Sequence, residues 1–410
     1  MGTIAFLRNY YISKYLSYVF DKSFLITIKN ISIPLKDKIP TDFIKVFRVF
    51  NFDYRNAGNL ISNKNDVRKQ TNIKSRSKFV IIFRKLADSF PTNIFIGEGG
   101  FIYIVLATLK GIRLVRKHKI THIYSSFRPM ADHIIAYNIK LFFPDIKWVA
   151  DFRDTVVDEK RNNVFLKNFQ YWFLKKLLKK ADVVTAVSHG VNKAISYTAP
   201  HVKTVRNGIN ELFIPYNIKE FDKFSIVYTG SLYTDLRKPV ALFTSLRLLL
   251  SEKVIESESF QLIYAGKDSV IWNKWIEEYG LQSISVNMGE ISMSESILLQ
   301  HAGNVNLLLS WSGKSQKGVI TGKIYEYFAA EKPILALING EKDEEFEQIF
   351  SKFNAGFVFY GKDVKLIKSS IISLYNDWLK SGIIHHSFNK EKLKDYSWEN
   401  RIQHLKKLIL

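Results

Sequence analysis

The chemistry in this 410-residue chain is concentrated in Thr321–Leu335, TGKIYEYFAAEKPIL. A Gly opens a predicted helix whose first turns hold Lys323 and Glu326, and a buried strand is expected after Pro333. Helix N-termini carry unpaired N–H groups and the positive end of the macrodipole, so a diphosphate is well placed there. A carboxylate one turn in, at Glu326, can accept hydrogen bonds from a ribose diol. The same spacing also describes an ordinary solvated i,i+3 ion pair, and these residues alone leave both readings open. A second stretch, Trp148–Asp154 (WVADFRD), ends a buried strand and delivers Asp151, Arg153 and Asp154 to its carboxyl end. Ligands of open α/β sheets sit at that end. A structural Asp–Arg pair bracing the loop would look the same in sequence. Just upstream, Ser125-Ser126-Phe127-Arg128-Pro129 forms a turn before a helix carrying His133, a residue as suited to packing as to ligand contact.

Alternation of strand and helix supplies the scaffold that these groups need. Runs at Ile4–Leu7, Phe24–Ile28, Val46–Phe50, His122–Ser125, Lys147–Ala150 and Asp182–Val187 predict one doubly wound domain. A second series is predicted at Ser225–Thr229, Gln261–Ala265, Ser285–Met288, Val305–Leu309, Pro333–Leu337 and Gly356–Phe359. Its first two strands end at Gly230 and Gly266, where a missing side chain lets a phosphate or sugar approach the backbone. Between the series lie the turn Asn207-Gly208-Ile209-Asn210 and a linker, Phe213–Asp222, containing Pro215. Asp53–Ser77 is polar, basic and aperiodic, which predicts a long loop. A final helix is expected over Lys390–Leu410. The predicted boundaries are 1–212, 213–388 and 389–410.

Composition narrows the classes. The length suits two cores rather than one, and the hydrophobic fraction of 47% suits packed domains. The absence of cysteine excludes a disulfide framework, a thiolate metal site and a cysteine nucleophile. No metal-ligand spacing, phosphate-binding P-loop or serine nucleophile elbow is present, so no metal or cofactor is expected. The apolar run Gly99–Leu109 stops at Lys110, too short to cross about 30 Å of hydrocarbon. The N-terminus lacks the small-residue cleavage site of a secretory signal, so a cytoplasmic, water-soluble protein is expected.

Charge is the sharper clue. Residues 1–215 carry 36 Lys+Arg against 15 Asp+Glu, an excess of 21, whereas the remainder carries 24 against 23. A general lysine bias would raise both halves. A field confined to one half attracts an anionic bilayer, a pyrophosphate-linked acceptor or nucleic acid. With no nucleic-acid motif beside the charge, nucleic acid is the least favoured. Val164–Lys180, and the stretches Phe79–Lys85 and Phe101–Arg116, interleave aromatics with lysine and arginine. Such a pattern fits an interfacial helix, or a domain helix that buries its aromatics against a sheet.

Several segments together resemble the retaining glycosyltransferases of family 4. They are Thr321–Leu335, Val227-Tyr228-Thr229-Gly230-Ser231-Leu232-Tyr233, Val305–Ser310, Ala181–Ser188, Val205-Arg206-Asn207-Gly208-Ile209 and the Phe152-Arg153-Asp154 segment. They cover roughly residues 120 to 400, and the N-terminal third is similar only in pattern. The resemblance implies a GT-B fold, an α/β architecture of two Rossmann-like doubly wound domains facing across a cleft. The N-terminal domain would receive the acceptor and the C-terminal domain the donor. The final helix would cross back, since Tyr396-Ser397-Trp398-Glu399 is similar to the family's ending.

It further implies Glu326 on the donor ribose, with Gly230, Ser231, Gly266, Glu290, Ile291, Gly322 and Lys323 around the donor. Arg237 or Lys238, with Lys323, would stabilise the departing diphosphate, and Asp151 and Arg153 would face the acceptor hydroxyl. Ser126, Arg128, His133 and Asp154 are the remaining acceptor-side candidates. In such enzymes the leaving phosphate takes the acceptor proton, so neither a nucleophile nor a metal is required. One departure stands out: Gly318 occupies the place of the first acid of the family's E-x7-E pattern, leaving backbone amides from Gly318 to Gly322 to hold the sugar. The implied partners are a nucleotide-sugar donor, a lipid-linked or glycan acceptor and the anionic inner face of a membrane. A sugar-nucleotide 2-epimerase and a non-catalytic nucleotide-sugar scaffold are the alternatives.

Overall fold

The computed structural model describes residues 4–29, 40–51, 78–96, 99–158, 162–209, 215, 218–313, 322–361 and 363–410. The expected loop at 53–77, Gly318, Thr321, Asn210 and part of the 213–222 linker lie outside them. The chain divides into two compact units. One is chiefly Arg8–Pro34, Lys38–Arg206 and Arg401–Leu410, and the other chiefly Asn207–Asn400.

In the N-terminal unit, β1 (Phe24–Ile28) and β2 (Lys45–Val49) form a parallel pair. Four further strands, β3 (His122–Phe127), β4 (Lys147–Phe152), β5 (Val183–Ala186) and β6 (Lys203–Thr204), form a parallel sheet in sequence order. Parallel neighbours need crossovers, and helices Met130–Phe142, Lys167–Leu178 and His189–Ile195 supply them. The register sets Ser126 beside Asp151 and Asp151 beside Thr185, so three polar side chains line up across the carboxyl ends.

The C-terminal unit is an all-parallel sheet of β7 (Phe224–Thr229), β8 (Phe260–Ala265), β9 (Ser285–Asn287), β10 (Val305–Ser312), β11 (Ile334–Gly340) and β12 (Gly356–Tyr360). Its order is β12-β11-β10-β7-β8-β9, the doubly wound arrangement whose direction of winding reverses between β7 and β10. Strands buried on both faces read as continuous apolar runs, and β7, with all six residues buried, is of this kind. Helices Val240–Ser251, Ser269–Tyr279 and Val364–Ser381 cover one face through Leu242, Leu246, Trp272 and Ile371. Helices Lys323–Ala330 and Glu344–Phe353 cover the other through Ile324, Phe328 and Phe350.

All six predicted strands of the C-terminal series form. In the N-terminal series Ile4–Leu7 does not: it opens the helix Ile4–Ser17. Leu7, Tyr11 and Ile12 are buried at helical spacing there, a period that a four-residue reading could not register. The final segment also differs. Lys390–Tyr396 is a 3-10 turn, Ser397 is extended, and a new helix runs Trp398–Ile409 with Ser397 Oγ accepting the Asn400 N–H at 3.2 Å.

The helix Ile4–Ser17 carries Arg8 into the interior of the N-terminal unit. Arg8 Nε and Nη2 donate to the Asp151 carboxylate at 2.8 and 2.6 Å, and Thr185 Oγ1 donates to it at 2.6 Å. Burial by itself raises the Asp151 pKa; the Arg8 charge and these hydrogen bonds outweigh it and hold the carboxyl below its ordinary range. Arg8→Met should therefore lower unfolding stability by about 3–5 kcal/mol by stranding a buried charge. The double variant Arg8→Met/Asp151→Leu should recover most of that loss in urea melts. Equal destabilisation by the single and the double variant would show that the pair is not the cause.

Candidate functional site

In the C-terminal sheet, β7 and β10 pair through Val305–Ile226 and Asn306–Val227, and the register does not continue to their carboxyl ends. The groups of interest gather at those ends. Gly230, directly after β7, has φ +133, and a Cβ there would stand 2.3 Å from Lys323 Cε and 2.7 Å from its Nζ. Only glycine leaves the lysine this place. Gly266, after β8, is needed for a similar reason, since its Cβ would fall 2.2 Å from the Gly230 carbonyl oxygen.

Lys323 Nζ donates to Thr229 Oγ1 at 3.3 Å. Gln300, fully buried on helix Met293–Ala302, donates through Nε2 to the same Thr229 oxygen at 3.0 Å and to Glu326 Oε2 at 3.0 Å. Burial pushes the Lys323 pKa down, the Glu326 carboxylate opposes the shift, and the Arg237 charge adds to it. Arg237 ends a 3-10 turn, Thr234–Arg237. Its Nη1 donates to the Ser231 carbonyl at 2.9 Å, and its guanidinium lies 4.6 Å from the Tyr233 ring and 5.0 Å from the Trp311 ring. Cation–π contact on two rings fixes the guanidinium, and its buried Nε has no protein partner. Gly322 caps helix Lys323–Ala330 without a side-chain hydrogen bond. A small cavity beside this helix start is lined by Asn207, Gly208, Gly322, Tyr325, Glu326 and Trp398. Two fixed cations, an uncapped helix start and an oriented carboxylate can together receive a polyanion carrying a diol.

The other donor-side candidates fall differently. Lys238 turns away from the cluster: its Nζ binds Glu278 at 2.7 and 2.9 Å and lies 5.4 Å from the Tyr279 ring. Of the two cations considered, only Arg237, the last residue of the turn, joins Lys323; Lys238 follows the turn and its side chain is held by Glu278. Ile291 packs with Val227, Ile263 and Ala265 in an apolar cluster, while Glu290 is exposed. Sequence reasoning passed over Thr229, Gln300, Tyr233 and Trp311 as site residues. Thr229 was legible, being the last residue of a strand that ends in Gly; Gln300 reaches the site through a fold contact that no local spacing announces.

In the N-terminal unit, Asp151 is wholly buried and bound by Arg8 and Thr185, not by Arg153. Arg153 Nη2 donates instead to the Arg128 carbonyl at 2.7 Å, which ties the loop after β4 to the loop after β3. Asp154 is exposed and Ser126 is buried. His133 is also wholly buried; its Nδ1 lies 2.8 Å from Ser125 Oγ, which accepts the Trp148 indole N–H at 2.8 Å. Burial drives the His133 pKa down to about 3, against a small opposing pull from Asp151, so the ring is neutral. Of the acceptor-side candidates, the structure thus places Asp151 and His133 in two internal networks, while Ser126 is buried outside both, and Arg153, the Arg128 carbonyl and Asp154 belong to the loops after β3 and β4.

No protein-family model and no curated protein matches the sequence. Solved structures do match in fold. Sucrose-phosphate synthase from Thermosynechococcus elongatus superposes with a TM-score of 0.60 at 13% identity, over 97% of this chain and 90% of that one. OtsA in its apo form gives 0.59 at 10% identity, over 98% and 95%. HepE from Anabaena, solved in complex with UDP-glucose, gives 0.57 at 13% identity, over 99% and 96%. The chain has the GT-B fold, with two Rossmann-like units.

The neutral His133 has a measurable consequence. An unfolded histidine titrates near 6.5, so as pH falls below about 6.5 the unfolded state binds a proton that the folded state refuses until about 3. Stability present above pH 6.5 is lost as pH falls, by about 2 kcal/mol at pH 5. His133→Gln should remove that part of the acid sensitivity, flattening the change in urea midpoint between about pH 7 and pH 5. An unchanged pH dependence in the variant would refute the assignment.

Proposed function

We propose that the chain is a glycosyltransferase that moves a sugar from a nucleotide-diphosphate donor to a lipid-linked or surface-polysaccharide acceptor, with retention of configuration and without a metal ion. The observation that carries this reading is the cluster of Lys323, Arg237, Thr229 and Glu326 at the carboxyl ends of β7 and β10. In this reading Glu326, oriented by Gln300, accepts the ribose hydroxyls. Lys323, Arg237 and the N–H groups of helix Lys323–Ala330 meet the diphosphate. As the bond from the anomeric carbon to the phosphate oxygen breaks, negative charge grows on the diphosphate, and fixed cations in a half-buried site stabilise it more than they stabilise the bound donor. The acceptor oxygen bonds to the same face of the anomeric carbon, and its proton passes to the departing phosphate oxygen. Every bond and proton is accounted for without a protein nucleophile.

The HepE neighbour, solved with UDP-glucose, makes UDP-sugars the first donors to try. In the N-terminal unit, Arg153, Arg128 and the exposed Asp154 are assigned to the loops that position the acceptor, with Asp151 and His133 bracing them from below. The excess of 21 positive charges on residues 1–215 supports work at the anionic inner face of a membrane. Among the described residues no helix is long and apolar enough to cross a membrane.

A thermal-shift panel of UDP-, GDP-, ADP-, CMP- and dTDP-sugars tests the reading: a donor at about 100 times its dissociation constant should add about 2.7 kcal/mol to stability. Glu326→Ala should weaken that donor by about 1.5–3 kcal/mol while leaving the ligand-free melting temperature in place. Normal donor affinity in this variant by calorimetry would defeat the ribose assignment. Sedimentation with anionic vesicles at low salt, and release at about 1 M salt where the Debye length is about 3 Å, tests the charge reading.

A further inference from the structure

Helix Gly100–His118 is apolar on both sides over its first half. One side packs Tyr103, Ile104, Ala107 and Ile112 against Ile135 and Ile139 in the core of the N-terminal unit. The other turns Phe101, Ile102, Val105, Leu106 and Leu109 to solvent, Phe101 being 53% exposed. A helix apolar all round is ordinarily covered all round. Phe95, 63% exposed, extends this face by stacking on Phe101 with ring centroids 6.2 Å apart.

A second stack adjoins it. Phe90, at the start of the short turn and helix that carry Phe95, lies 5.7 Å from Phe169, and Phe169 stacks on Trp172 at 5.3 Å. Trp172 is 52% exposed. The helix Lys167–Leu178 buries Gln170, Leu174, Leu177 and Leu178, and of its aromatics Phe173 packs against the core beside the sheet as the domain-helix reading requires, while Phe169 and Trp172 do not and stay exposed. Exposed apolar residues scattered singly need no explanation, but stacked ones running across two helices form a patch. The rim of the patch is cationic. As helix Gly100–His118 proceeds, its exposed positions change to Arg113, Arg116 and Lys117, and Lys175 and Lys176 flank Trp172.

We propose that this face is a membrane-docking surface, which lays its aromatic and aliphatic side chains at the acyl-chain boundary of an anionic bilayer while the surrounding arginines and lysines meet headgroup phosphates. Charge complementarity selects this occupant over a second copy of the chain. A two-fold contact would set the same cationic rim against itself, whereas an anionic bilayer satisfies both the apolar centre and the rim. The inference deepens the membrane-surface part of the proposed function and rests on it. It goes further in requiring apolar insertion, which charge attraction alone does not.

Because the chain has no cysteine, a single Leu109→Cys substitution in the full chain can carry an environment-sensitive fluorophore, with Leu379→Cys, exposed in the C-terminal unit, as the control. With vesicles of phosphatidylcholine and phosphatidylglycerol, the label at 109 should shift to the blue and brighten severalfold, and about half the change should survive 1 M salt. The label at 379 should not respond. Val105→Glu, at an exposed position, should keep the melting temperature and cut the salt-resistant vesicle-bound fraction roughly tenfold. Binding at low salt with no change at position 109 would overturn insertion and leave the charge reading standing. No binding at low salt would overturn both. A lipid-free dimer that dissociates on Val105→Glu would make this face a contact between copies and overturn the proposal.

Discussion

The C-terminal unit depends on one topological constraint: a parallel sheet that starts at its middle strand and is wound outward in both directions sends its connections to opposite faces where the winding reverses, which leaves a crevice outside the carboxyl ends there. Here that point lies between β7 and β10, which are paired at Ile226–Val305 and Val227–Asn306. Backbone groups at the carboxyl ends then face open space, and the loops that leave them run to opposite faces. Gly230 turns that opening into a site. Without a side chain it admits the Lys323 amine across the end of β7, and Gly266 lets the end of β8 close up behind it. The helix that bears Lys323 and Glu326 is held in turn by Ile324 and Phe328 in the apolar cluster beneath. Geometry at the site is therefore a property of the sheet, with the chemistry supplied by a handful of side chains at its edge.

The energetic character of the site follows from placing like charges together. Lys323 is half-buried and feels Arg237, and both effects work against its proton. Glu326 offsets only part of this. Such an arrangement is poorly matched to the empty protein and well matched to a bound polyanion, whose charge would restore the lysine and engage the unpartnered Arg237 Nε. The Tyr233 and Trp311 rings hold the guanidinium at fixed distance without neutralising it, which a carboxylate partner would do. Lys238, one residue on, shows the contrast: paired with Glu278, its charge is already answered.

Much of the fold was legible because parallel strands buried on both faces write long apolar runs, and all six C-terminal strands and most of the N-terminal ones lay where such runs predict. Ile4–Leu7 was misread because four apolar residues fit a strand as well as a helix, and the helical period appears only when Tyr11 and Ile12 are included. On the donor side, the Gly after a strand and the Gly-Lys helix start were readable as local chemistry. The N-terminal charges were not. The sequence set Asp151 and Arg153 two apart and suggested a pair, but successive strand positions face opposite ways and a two-residue step beyond the strand end crosses into loop. The true partner, Arg8, lies 143 positions away, a separation that only the tertiary fold can close.

This remote pairing bears on how the N-terminal unit presents its loops. A buried Arg–Asp pair contributes little net stability over an apolar replacement of equal fit, so its presence is better explained by what it orients. Asp151 stands next to Ser126 and Thr185 in register, directly under the loop that Arg153 ties to the Arg128 carbonyl. With the Asp151 carboxylate fixed from the helix side, the Arg153 guanidinium reaches the Arg128 carbonyl and links the loops after β3 and β4. The neutral His133 does the same for the adjoining turn, since a charged ring in that position would call for a counter-ion that Asp151, committed to Arg8, does not provide. The two buried networks thus keep charge compensated at depth: an Arg8–Asp151 pair inside, with a neutral His133–Ser125–Trp148 chain beside it.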